Sequence, residues 1–308
     1  MKKAFIITVD TEGDNLWAWE PGKEISVENV RYIERFQKLC ESYNFKPVYL
    51  VNYEMAQSDE LVSLLKEKAK TNLCEIGMHL HAWNSPPYYE LPNKYNGCSY
   101  ITEYPTAVVR EKHEFLRNYI IERFDIVPVS YRSGRWATNE DLFKVLDDLG
   151  FLVDCSITPE LTHEGNVGMS VPKGNNYYGE KYQVRRLGDH LIEVPMSTCR
   201  THNIHGKNFR NRMSHLIKGE SIWLRPATNS FEDMVRLTKI LEKGDNSYLE
   251  FMLHSSELMP GGSPYCKDDR EVEIFYDRME KYFKYICHNY EGVTLKEFYK
   301  LQNLQGSK

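Results

Sequence analysis

The chain has 308 residues, long enough for one large domain or two small ones. It is 41% hydrophobic and 27% charged, an ordinary balance for a globular fold. With 39 basic and 44 acidic side chains the net charge is -5, which excludes a strongly basic surface made for nucleic acid or an anionic membrane. No stretch approaches the ~20 apolar residues of a membrane span. The seven cysteines are odd in number and show no CxxC spacing, which points to reduced thiols rather than a disulfide framework. Met1-Lys2-Lys3 leads straight into the apolar run Ala4–Val9, too short for the core of a signal peptide. A cytoplasmic location is the expectation.

In chain order, Phe5–Val9 is predicted to be a strand that ends at Asp10. Val27, Val30, Ile33, Phe36, Leu39 and Tyr43 then recur at helical spacing, with Ser26 placed as N-cap. Val48–Val51 is a second strand, and Ser58 caps a helix carrying Leu61, Leu64 and Leu65. Cys74–Leu80 is a third strand, running through His79 toward His81. Ala82 to Pro105 reads as a long loop over a cleft, and Thr106–Phe124 as a helix. Val127–Tyr131 is a strand leading into Arg132, Asn139–Leu149 a helix closed by Gly150, and Phe151–Ser156 a strand. Thr158 to Asp189 is irregular. Leu191–Ser197, Ile222–Leu224 and Tyr248–Leu253 read as strands. Ser230-Phe231-Glu232-Asp233 has the form of a capping box before a helix. Asp269–Tyr290 reads as a long helix and Thr294–Leu301 as a last short one.

This alternation predicts an α/β fold, a distorted (β/α) barrel of about seven parallel strands, in one domain spanning 1–308. Asp10, Glu12, His79, His81, Arg132, Asp154 and His254 all fall at or just beyond the carboxyl ends of predicted strands. In a barrel that rim is where active sites are built.

In Asp10-Thr11-Glu12, one carboxylate can bind a metal while the other acts as a base. His79 and His81, two apart on an extended segment, point to the same side and suit a shared metal. Either could equally be a hydrogen-bonded core histidine. Arg132 can hold a carboxylate ionised. His254, at the end of an apolar strand, has the chemistry of a general acid.

Taken together these motifs resemble the polysaccharide deacetylases of the NodB-homology group, carbohydrate esterase family 4, in a divergent bacterial surface-polysaccharide branch. Thr8-Val9-Asp10-Thr11-Glu12 resembles the first motif, which makes Asp10 the catalytic base and Glu12 a metal ligand. Glu75-Ile76-Gly77-Met78-His79 resembles the second, with His79 as metal ligand, and Tyr131-Arg132-Ser133-Gly134-Arg135 the third, with Arg132 holding the base. Val153-Asp154-Cys155-Ser156 resembles a degraded fourth motif, whose acid, Asp154, would pair with the general acid. Leu253-His254 resembles the fifth, with His254 as that acid. The chain departs from the pattern where Thr11 separates the two acids, where the fourth motif lacks its Trp, and where Trp83 occupies the place of the second metal histidine. Either His81 supplies that ligand or the metal has one protein ligand fewer.

The resemblance implies a metal-dependent hydrolase that removes an N-acetyl or related acyl group from a carbohydrate. The metal would be divalent, zinc first, with cobalt, manganese or ferrous iron admitted by the same ligands. The substrate would be a nucleotide-linked, lipid-linked or polymeric sugar. Two other readings stay open at this point: a metal-free or non-catalytic carbohydrate binder, and another amide hydrolase such as a deformylase or cyclic-ureide hydrolase.

Overall fold

The computed structural model describes residues 2–92, 97–165, 174–201, 219–244 and 246–305. The strands are β1 (Lys3–Thr11), β2 (Pro47–Val51), β3 (Glu75–Leu80), β4 (Ser130–Ser133), β5 (Val153–Asp154), β6 (Arg185–Arg186), β7 (Ile192–Glu193), β8 (Thr198–Thr201), β9 (Glu220–Trp223), β10 (Tyr248–His254) and β11 (Tyr290–Gly292). The helices are α1 (Val30–Ser42), α2 (Tyr53–Gln57), α3 (Asp59–Lys70), α4 (Thr106–Phe124), α5 (Glu140–Asp148), α6 (Phe231–Leu241), α7 (Asp269–Ile286) and α8 (Leu295–Gln305).

The sheet runs β10-β1-β2-β3-β4-β5-β7-β6, and every pair is parallel except the last. It curls into a half-barrel, the distorted (β/α) barrel that the alternating pattern predicts. Seven strands of the path share one direction because helices make the crossovers between most of them. The gap between β7 and β10 is bridged by isolated hydrogen bonds: Tyr248 Oη donates to the Pro195 carbonyl at 2.7 Å, Glu250 N to Ser197 Oγ at 2.8 Å, and Met252 N to the Leu224 carbonyl at 3.1 Å. β8 and β9 pair with each other antiparallel, outside the main sheet.

β1 is buried from Ala4 onward because it has neighbours on both edges. β10 pairs along Ala4–Asp10, while on the other edge β11 covers Lys3–Phe5 and β2 takes over from Ile7. α7 packs here through Val272, Phe275, Tyr276, Met279, Tyr282, Phe283 and Ile286, a stripe at helical spacing. Phe251 of β10 stacks on Tyr282 at 5.8 Å and meets Phe283 at 5.4 Å and Phe5 at 5.9 Å.

The predicted N-caps Ser58 and Ser230 accept from the Leu61 and Asp233 backbone amides, and Asn139, expected as the first helical residue, instead caps α5 by accepting from Leu142 N. Ser26 does not cap: α1 begins after Asn29, whose side chain turns away to the Glu12 carbonyl. The strand expected at Val127–Tyr131 is shifted to Ser130–Ser133, which puts Arg132 inside the sheet. The expected long helix stops at Ile286, and Tyr290 opens β11 instead. Among the described residues no helix is long and apolar enough to cross a membrane.

Phe251→Ala would leave a hole among Phe5, Tyr282 and Phe283. The expected loss of unfolding free energy is about 3–5 kcal/mol, measured by urea denaturation.

Candidate active site

Strand register brings the candidate residues together. Asp10 lies opposite His254 across β1 and β10, and His79 lies opposite Arg132 across β3 and β4. Alternation along each strand then points Thr8, Asp10, His79, Arg132, Glu250 and His254 into the barrel. Thr8, Arg132 and Glu250 are joined to one another by hydrogen bonds and do not line the cleft.

Arg132 is fully buried. Its Nη1 donates to Asp10 Oδ1 at 2.6 Å, its Nη2 to Glu250 Oε1 at 2.5 Å and to Thr8 Oγ1 at 2.9 Å, and its Nε to the Cys155 carbonyl at 3.0 Å. Burial alone would raise the Asp10 pKa; Arg132, then His79 and His254, outweigh it and hold the carboxyl down at about 2. Glu250 goes the other way. Its burial dominates the pull of Arg132 and pushes it up to about 7.

Glu12, His79 and His81 bring one ligand atom each to within 4.8 Å of one another. Glu12 Oε2 lies 3.4 Å from His79 Nε2 and 3.3 Å from His81 Nε2, and the two ring nitrogens are 3.0 Å apart. His79 Nδ1 sits 2.9 Å from the Arg132 carbonyl, which can only accept, so Nδ1 carries a proton and Nε2 has a lone pair to offer. Three potential ligand atoms thus converge in a buried space, and the donor set fits a divalent metal. A proton can occupy the same place. Burial lowers the His79 pKa, but Asp10 and Glu12 outweigh it and raise it, whereas burial followed by His79 pushes His81 down to about 3.

His81 therefore stands where the resemblance leaves a ligand open. Trp83, in the family's histidine position, stacks on the His81 ring at 4.3 Å and 15° and holds it in place. Asn29 and Ser255 fix Glu12 from behind: Asn29 Nδ2 donates to its carbonyl at 2.8 Å and its own amide donates to Ser255 Oγ at 3.1 Å.

His254 Nε2 faces Asp10 Oδ2 at 3.7 Å and Glu12 Oε1 at 3.9 Å. Its expected partner is elsewhere. Asp154 is fully buried, takes Ser156 Oγ at 2.7 Å and the Ser156 amide at 3.2 Å, and lies opposite Glu193 of β7. The register that pairs β5 with β7 turns Asp154 to that neighbour. The groups beside His254 Nδ1 are Arg225 Nη2 at 3.2 Å and Glu257 Oε1 at 3.5 Å, joined to each other at 2.5 Å. Neither residue belongs to a sequence motif. A buried Arg just after a strand and a Glu three residues beyond His254 were the available signals.

These groups floor a cleft of about 300 Å³ walled by Trp17, Trp19, Trp83 and Trp136. Trp83 and Cys98 come from the loop expected over the cleft. Among the described residues, none of the lining comes from the irregular segment between Thr158 and Asp189, of which 166–173 lie outside the description.

Arg132→Met would leave Asp10 and Glu250 facing each other without their cation. The expected cost at pH 8 is about 3–5 kcal/mol. Both carboxyls would then titrate above their unfolded values, and such groups add stability at low pH that is lost as pH rises. The penalty in urea denaturation should therefore shrink at pH 5; an equal penalty at both pH values contradicts the charge assignment.

No protein-family model matches the sequence. No curated protein matches it. Among solved structures, a Mycobacterium smegmatis protein named as a polysaccharide deacetylase superposes with a TM-score of 0.58 at 12% identity, over 99% of this chain and 92% of that one. The 4-alpha-glucanotransferase of Thermococcus litoralis superposes at 0.56 and 13% identity, over 97% of this chain and 40% of that one. A family 4 acetyl xylan esterase from Clostridium thermocellum, in complex with a cobalt ion, reaches 0.45 at 14% identity over 98% and 92%, too loose a superposition to argue from. Identities this low speak to architecture alone. In its architecture the chain has the fold of the polysaccharide deacetylases, the group its sequence motifs resemble.

Proposed function

We propose that the chain is a metal-dependent hydrolase that removes an N-acetyl or related acyl group from a carbohydrate, in the assembly of a surface polysaccharide. The observation that carries this reading is the meeting of two groups of residues on one cleft floor: a Glu12–His79–His81 set of potential ligand atoms, and the Asp10–His254 pair 3.7 Å apart.

Glu12, His79 and His81 would hold zinc, or cobalt, manganese or ferrous iron in its place. When bound, the metal would supply Lewis acidity to the scissile carbonyl and acidify a water toward ~7. Asp10 explains why that is needed. A carboxylate held at about pKa 2 is a feeble base toward ordinary water and an adequate one only toward a water already made acidic. With Oδ1 tied to Arg132, Asp10 has Oδ2 left to take the water's proton. The C–O bond forms at the carbonyl carbon, and the C–N bond breaks as the amine leaves. His254 turns Nε2 to that side of the cleft, where it would hydrogen-bond to the departing nitrogen.

The four tryptophans support a sugar as the acyl carrier, since indole faces suit the apolar faces of pyranose rings. The nucleotide-linked, lipid-linked and polymeric forms all present such a ring. All seven cysteines are free, which supports a reducing, cytoplasmic setting. We also take residues 1–308 to act as one domain.

Asp10→Asn and His254→Ala should each lower deacetylation of N-acetylglucosamine oligomers by zinc-loaded protein by about 10²–10⁴-fold, with unchanged circular dichroism. Near-wild-type rates in both would overturn the reading. Because a proton competes for the same three atoms, zinc affinity should rise with pH through neutrality, with proton release seen by calorimetry in buffers of differing ionisation heat.

A further inference from the structure

We propose that Arg225 sets the tautomer of His254, presenting Nε2–H to the cleft, and that the proton reaching the leaving amine comes back through Asp10. The kinetic part rests on the deacetylase reading; the tautomer does not.

Arg225 lies just beyond β9 and is 8% exposed. Its guanidinium is enclosed by the rings of Trp17, Trp223 and Tyr265, with centroids 5.7, 5.9 and 5.3 Å away. These aromatic faces, with Glu257 Oε1 at 2.5 Å, hold a buried cation in a fixed orientation. Its Nη2 reaches His254 Nδ1 at 3.2 Å. A guanidinium has only donors, so the nitrogen facing it must offer a lone pair. The competing acceptor is Glu257. Its Oε1 is 3.5 Å from Nδ1, a longer approach than that of Arg225, and is itself taken by Arg225 at 2.5 Å, while its Oε2 is taken by the His254 backbone amide at 3.0 Å. Trp17 braces the ring edge-on at 5.0 Å and donates its own Nε1–H to Ser256 Oγ. The remaining ring proton therefore sits on Nε2, which faces Asp10 and Glu12.

This changes the acid role expected for His254 from the sequence. A neutral imidazole gives a hydrogen bond readily and the proton itself only with difficulty. The proton that Asp10 takes from the water is then the one available to the amine. The balance closes without a net proton from His254. One water O–H breaks, a C–O bond forms, the C–N bond breaks, an N–H forms on the amine, and Asp10 returns to carboxylate. His254 stabilises the developing charge through its Nε2–H. Arg225 and Glu257 are positioning residues acting through it.

The test is long-range 1H–15N NMR of His254 ring nitrogens at neutral pH in zinc-loaded protein, assigned by the signals lost in His254→Gln. The expected wild-type pattern is an unprotonated Nδ1 and a protonated Nε2. An imidazolium, or a protonated Nδ1, overturns the proposal from the wild-type spectrum alone, even where a variant fails to fold. Arg225→Met should invert the tautomer as Nδ1 turns to Glu257, and lower kcat on N-acetylglucosamine oligomers by on the order of 100-fold with KM little changed. Arg225→Lys should restore the wild-type tautomer and part of kcat. Glu257→Gln should keep the tautomer; a switch there would assign the control to Glu257 and overturn it. A wild type with the expected tautomer and no deacetylation would sink the proposed function and leave the Arg225 assignment standing.

Discussion

The Arg132 guanidinium lies fully buried between the Asp10 and Glu250 carboxylates, while its own backbone carbonyl accepts from His79 Nδ1. One residue thereby orders both halves of the cleft floor. Its side chain keeps Asp10 ionised and aimed, and its main chain directs the His79 lone pair at Nε2 toward Glu12 and His81. A guanidinium can do this because it offers five donors in a rigid fork and stays charged when buried, which lysine would not. The cost of burying it is met by two carboxylates, a hydroxyl and a carbonyl around one cation.

From that arrangement follows a division of labour. The Thr8–Arg132–Glu250 group is a charge support that does not line the cleft. Around it, register sets Asp10 beside His254 and His79 beside Arg132, and Glu12 and His81 follow two residues further along the chain. The low pKa of Asp10 is the physical link between that support and the cleft. It makes the carboxylate dependable as an anion. The three potential ligand atoms share the cleft floor with it.

The alternation of apolar runs and helical periods made the parallel sheet legible, and the caps at Ser58 and Ser230 marked two helix starts, because both signals are local. The grouping of Asp10, Glu12, His79, Arg132 and His254 at strand ends was legible for the same reason. What lay beyond reach depended on contacts distant in sequence. β11 exists only because β1 leaves an edge open at Lys3–Phe5. Asn29 gives up capping α1 to hold Glu12, a choice visible only once the chain is folded. Asp154 was drawn to His254 by motif order, but strand pairing turns it to Glu193, and the ring is flanked by Arg225 and Glu257 instead. His81 could be named as a possible ligand from its spacing, yet nothing local foretold that Trp83 would stack on it.

The most direct measurement is the zinc content of protein purified without chelator, by elemental analysis, in wild type and in Glu12→Ala, His79→Ala and His81→Ala. About one equivalent in wild type, lost in each variant with the fold retained, is the expected result for a Glu–His–His site. A wild type that takes up no zinc, cobalt, manganese or ferrous iron when each is supplied would contradict the metal site and the hydrolytic chemistry built on it.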